Sequence, residues 1–132
     1  MFDSYTSLAY SCSYIKLLMI NFQKNLSMIF IETPIFTEEI SKYLSVDEFK
    51  EFQTALLVRP ESGKLIQGSG GLRKIRWKMK KVGKRGGLRI IYYWDEPNET
   101  FYLLFPYRKS KTEDLSKKEI RILSNLVTEY LL

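Results

Sequence analysis

The chain has 132 residues, 45% of them hydrophobic, with eight Phe, nine Tyr and two Trp, enough for one domain with a single core. A single cysteine, Cys12, excludes an intramolecular disulfide framework and fits a reducing compartment. The absence of histidine removes the commonest general base and leaves too few ligands for a zinc centre, so any catalysis must use Lys, Arg, Tyr, Ser, Thr or carboxylates.

Residues 1–27 are rich in Ser and Tyr, nearly uncharged and poorly periodic. Their longest apolar run, Leu17 to Ile20, is far too short to span a bilayer, and the stretch lacks the basic start and cleavage site of a signal peptide. They are expected to be a misassigned start or a loosely attached extension, with the domain proper at 28–132.

The alternation in 28–32 predicts a short strand, after which Thr33-Pro34 gives a helix-start signal with proline at the first helical position. Ile35, Phe36, Ile40, Tyr43 and Leu44 then recur at helical spacing. Ser45-Val46-Asp47-Glu48 is a capping box opening a second helix, with Phe49, Phe52, Ala55 and Leu56 on one face and Pro60 as its stop. From Leu65 the signals become β. In 72–80, Lys74, Arg76, Lys78 and Lys80 fall on one face and Arg73, Ile75, Trp77 and Met79 on the other. Residues 83–87 read as a hairpin loop, 88–94 as the returning strand, 95–99 as a turn and 100–105 as a third strand. Ser116 to Glu119 forms another capping box before a last helix that turns Ile120, Leu123, Leu126, Val127 and Tyr130 inward. The expectation is an α+β domain of order β-α-α-β-β-β-α, an antiparallel meander with two helices before it and one after.

Net charge is +6, but its distribution matters more than its size. Between Lys64 and Arg89 stand ten basic residues and no Asp or Glu, leaving 11 basic against 15 acidic residues elsewhere. Lysines on an edge strand discourage aggregation, which accounts for two or three of them. Ten without an acid between them repel one another, so a polyanionic ligand is the better explanation. Duplex DNA is usually entered by a helix or ribbon, whereas these cations lie on a sheet beside Trp77, Tyr92, Tyr93, Trp94 and Tyr107, a layout suited to single-stranded RNA. Tyr92 and Trp94 are expected in the core.

The strings GGLRKIR at 70–76, KRGGLRIIYY at 84–93 and YLLFPYRKSKTEDLS at 102–116, with the order of elements, resemble the RelE/HigB superfamily of bacterial type II toxins, the HigB-like branch most closely. The resemblance covers about 28–132. It implies a RelE-like fold and a cytoplasmic mRNA endoribonuclease acting in the ribosomal decoding site. In that reaction a ribose 2′-hydroxyl attacks the adjoining phosphorus, with no metal or other cofactor. It also implies silencing by a HigA-like helix-turn-helix antitoxin, operator DNA bound only through the antitoxin complex, and no membrane partner. Lysine among like charges loses its proton more readily and can act as base, while arginine suits the equatorial phosphate oxygens. Arg89 matches the family's phosphate-binding arginine and Lys109 the basic residue after the last strand. Arg73, Arg76 and Tyr107 complete the catalytic candidates. Lys74, Lys78, Lys80, Lys81, Lys84, Arg85, Arg108 and Lys111 are candidates for holding RNA. Arg73 could instead pair or stack locally, and Tyr107 could stack on a base, serve as acid, or pack on the last helix. Where the founding branch has a late tyrosine, this chain has Leu115, so Tyr107 substitutes or no tyrosine is used. The rivals are a non-catalytic RNA- or ribosome-binding protein, a family member kept only as a transcriptional partner, and a DNA-binding protein.

Overall fold

The computed structural model describes residues 16–22, 26–80, 83–109 and 114–131. The strands are β1 (Lys16–Phe22), β2 (Leu26–Glu32), β3 (Lys64–Leu65), β4 (Leu72–Met79), β5 (Gly83–Asp95) and β6 (Thr100–Arg108). The helices are α1 (Pro34–Ile40), α2 (Val46–Val58) and α3 (Lys117–Leu131). The six strands form one sheet in the order β1-β2-β6-β5-β4-β3. It is mixed: β2 runs parallel to β6, and every other neighbouring pair is antiparallel. The architecture is therefore α+β, and among the described residues no helix is long and apolar enough to cross a membrane.

Three elements differ from the sequence reading. Part of the segment set aside as an extension, 16–22, is strand β1 against β2; residues 1–15 lie outside the described residues. A two-residue strand, β3, pairs Lys64 with Lys74 and Leu65 with Arg73. β5 begins at Gly83 rather than Leu88: Gly83 pairs with Met79, and 84–87 falls in the irregularity between that pair and Trp77–Leu88.

The expected helix starts form as read. Thr33 accepts from the Phe36 amide and donates to the Leu104 carbonyl at 2.7 Å, tying α1 to β6. In α2 the Ser45 hydroxyl accepts from the Glu48 amide at 3.2 Å, while Glu48 accepts from the Ser45 amide at 3.1 Å. The same carboxylate accepts from the Lys80 amide at 3.4 Å, so the cap also anchors the end of β4. Ser116 and Glu119 repeat the reciprocal pair before α3.

Helices cover both sides of the sheet. Phe36, Ile40, Leu44, Phe52, Leu56 and Leu57 lie against Phe30, Met79, Leu88, Ile90, Tyr92, Phe101 and Leu103 on one face. On the other, Leu123, Leu126 and Val127 of α3 lie against Leu72, Ile91, Tyr102, Leu104 and Phe105. A register shift in the β5–β6 ladder pairs Ile91 with Phe105 and Tyr92 with Leu103, leaving Leu104 as an extra residue. This bulge reverses the alternation of β6: Phe101 and Leu103 face α1 and α2, whereas Phe105 and Tyr107 face α3.

Candidate nucleic-acid interface

Antiparallel partners share a face, so the registers resolve the α3 side of the sheet into rows across β4, β5 and β6. The first row is Leu72, Tyr93 and Tyr102, the second Lys74, Ile91 and Phe105, and the third Arg76, Arg89 and Tyr107. α3 packs over the first row and over Ile91 and Phe105 of the second. In the third row Tyr107 still belongs to that buried cluster, while Arg76 and Arg89 lie beyond it. Arg76 and Lys78 are exposed there, and Arg89 is partly exposed.

Arg76 and Arg89 stand directly opposite each other. Like charges in that position destabilise a sheet, yet no carboxylate among the described residues pairs with Arg76, Lys78 or Arg89. The Arg89 guanidinium donates to the Gly87 carbonyl at 3.2 Å, which turns it back along its own strand. Space there is tight: a Cβ added to Gly87 would stand 3.3 Å from that guanidinium.

One carboxylate marks the border between this open row and the helix. Asp114, just before α3, accepts from Lys74 Nζ at 3.4 Å and from the Tyr107 hydroxyl at 3.3 Å, and its second oxygen lies 3.6 Å from Lys109 Nζ. Burial alone would raise the Asp114 carboxyl, but Lys74, Lys109 and the Tyr107 hydroxyl hold it below its usual range. The sequence assigns no role to Asp114, although it lies in the quoted string; an acidic pair, Glu113-Asp114, after a run of cations is the available signal. Tyr107 is 2% exposed, with its ring 6.3 Å from and nearly parallel to that of Phe105. Burial, then the neighbouring Asp114, push its hydroxyl up to about 12, so it is a proton donor at neutral pH.

The structure thus brings Lys74, Arg76, Lys78, Arg89 and Lys109 to one side of the sheet, with Tyr107 buried at its border. Three other candidates are not there. Arg73 lies on the α1–α2 face, where its guanidinium donates to the carbonyls of Gly63 at 2.8 Å and Glu61 at 3.2 Å. It pins the loop that Tyr92 also holds, its hydroxyl accepting from the Gly63 amide and donating to the Pro60 carbonyl. Arg108 pairs in register with Leu88 on that same face, and its charge acts on Tyr43 between the helices. Lys80 follows the register shift between Trp77 and Met79 and turns to Glu51 of α2 at 3.1 Å. Lys81 and Lys111 lie outside the described residues, and Lys84 and Arg85 lie at the start of β5.

The rings expected to stack bases are occupied otherwise. Trp77 meets Phe52 edge-on at 5.3 Å, Trp94 lies 4.3 Å from Phe101, and Tyr93 stands 6.2 Å from Tyr102. Tyr92 is wholly buried, and Trp94 packs against the core as expected. Leu115 is an apolar neighbour of the α3 cluster. Chemically, Arg76, Arg89 and the flanking lysines can hold phosphate oxygens and present ammonium protons, while the phenol of the row is buried and donates to Asp114; the row offers no open ring to a base.

No protein-family model matches the chain.

Two expectations arise here. Arg73→Ala should cost about 1–2 kcal/mol in urea unfolding, from two lost charge-assisted bonds, and leave RNA affinity within about threefold, since one remote charge adds little at physiological salt. A large loss of RNA binding at unchanged stability would return Arg73 to the site. The second concerns alkaline pH. Tyr43, Tyr92, Tyr102 and Tyr107 are all raised above 10.0, chiefly by burial, and Tyr107 reaches about 12. A raised value in the folded state favours the protonated form, so this stabilisation is complete below pH 10 and is lost as pH rises from there through about 12. Unfolding midpoints measured across that range should fall, and fall less steeply in Tyr107→Phe.

Proposed function

We propose that this chain is the toxin of a type II toxin–antitoxin pair, a ribosome-dependent mRNA endoribonuclease of the RelE/HigB kind with a RelE-like fold. The observation that carries the reading is the facing pair Arg76 and Arg89, flanked by Lys78 and Lys109 and in register with the buried Tyr107, at the border of the α3 contacts. The two arginines face each other without a carboxylate partner among the described residues, an arrangement that a phosphate would relieve. The order of elements from β2 to α3 and the quoted strings support the same assignment.

In this reading Arg89 and Arg76 hold the non-bridging oxygens of the scissile phosphate and stabilise the charge that develops on them. Lys109 takes the proton of the 2′-hydroxyl, whose oxygen then bonds to phosphorus. The bond from phosphorus to the 5′-oxygen breaks, and that oxygen takes a proton from Tyr107. The products are a 2′,3′-cyclic phosphate and a 5′-hydroxyl. Lys74 and Lys78 hold the neighbouring backbone. A HigA-like antitoxin, contact with operator DNA through it alone, and a bacterial cytoplasmic setting belong to the same proposal.

Induced expression in growing bacteria tests it. Prompt growth arrest with breaks inside translated messages is expected. Protein bound to ribosomes whose messages stay intact would instead favour a non-catalytic ribosome-binding protein, and preference for duplex DNA would contradict both.

A further inference from the structure

We propose that Asp114 is the positioning residue of this surface, its carboxylate gathering Lys74, Lys109 and the Tyr107 hydroxyl beside the Arg76–Arg89 row at the cost of some affinity for RNA. The inference rests on the ribonuclease reading and adds to it a residue that touches the acid and base groups rather than the phosphate. The three donors come from β4, from β6 and from the turn after β6, and they converge on one side chain at distances of 3.3 to 3.6 Å. Lys109 is exposed, and the carboxylate is its one ion-pair partner among the described residues. Freed from it, a four-carbon stem in a turn would sample many rotamers beside like charges. Tyr107 is held from below by Phe105 and from its hydroxyl end by Asp114.

The electrostatics argue against a role in affinity. A carboxylate beside a phosphate-binding surface repels the ligand, and Asp114 stands among cations that a purely adhesive surface would leave unopposed. Nor does it add much to the fold: its side chain is 53% exposed, and exposed ion pairs contribute little to stability. What remains is geometry, the fixed separation of a base and an acid on either side of the scissile bond.

Asp114→Asn keeps the shape and removes the charge. Cleavage on message-programmed ribosomes should fall about 10- to 100-fold, as for other misplaced catalytic groups. Binding to poly(U) at 0.1 M salt should tighten by about fivefold, the effect of one net positive charge on single-stranded RNA. The thermal midpoint should hold, and Asp114→Glu should recover part of the cleavage. Cleavage equal to wild type would overturn the proposal. So would a joint fall of cleavage, binding and midpoint, which would make Asp114 merely structural. If wild type cleaves no message, the ribonuclease reading fails and the carbon-13 NMR titration of Tyr107 decides alone, its signal identified by its absence from Tyr107→Phe. Asp114 and Glu119 push that hydroxyl up and Arg89 pushes it down, so the asparagine variant should titrate at lower pH. An unmoved titration would overturn the contact itself.

Discussion

Replacing Arg89 by alanine is expected to abolish message cleavage, by on the order of 100- to 1000-fold, the range seen when one preorganised donor to a developing oxyanion is removed. The same variant should unfold at the same urea concentration as wild type or a higher one. Both expectations follow from register. Arg89 stands opposite Arg76, in line with Tyr107, and no carboxylate among the described residues balances it. Among the described residues its guanidinium donates only to the carbonyl of Gly87, two residues back. A side chain kept for folding would be paired, and this one faces a like charge that costs stability. Loss of activity without loss of stability marks a group placed for a ligand. A fall in stability above about 1 kcal/mol would show that the guanidinium holds the sheet together instead.

Phe101→Ala is expected to cost about 3–5 kcal/mol, the usual range for deleting a wholly buried phenyl ring. A domain of this size is stable by only about 5–15 kcal/mol, so the variant should be partly unfolded at physiological temperature. Phe101 is fully buried on β6, stacked 4.8 Å from Phe30 on β2 and 4.3 Å from Trp94 on β5. It joins the one parallel pairing of the sheet to the antiparallel meander, and its partner in register, Phe30, is also its ring partner. Urea unfolding measures the effect directly. A loss below about 1 kcal/mol would mean that β2 is held by α1 and the ladder rather than by this stack.

Much of this arrangement is legible in the sequence because it is written locally. The capping boxes at Ser45 and Ser116 and the Thr33-Pro34 start depend on residues within one turn, and all three helices begin where those signals stand. The alternation of β4 puts Lys74, Arg76 and Lys78 on one face because a pleated strand leaves no other choice. What escaped is non-local. The run 101–105 is buried throughout, so its pattern could not reveal the bulge at Leu104. That bulge sends Tyr107 to the α3 side and Arg108 to the other, parting two candidates that adjoin in sequence. The register shift after Trp77 does the same to Lys80. Arg73 offers the same charge as Arg76, and only the fold of 60–63 onto its face shows that backbone carbonyls use it. Asp114 was readable as an acid but not as a hub, since its three donors lie up to 40 residues away.

The most direct measurement is end-mapping of a message after incubation of the purified protein with translating ribosomes. The account expects breaks inside the reading frame, a 2′,3′-cyclic phosphate on each upstream fragment, and no breaks with the folded Arg89→Ala variant. Intact messages on ribosomes that carry the bound protein, or breaks that persist unchanged in that variant, would contradict it.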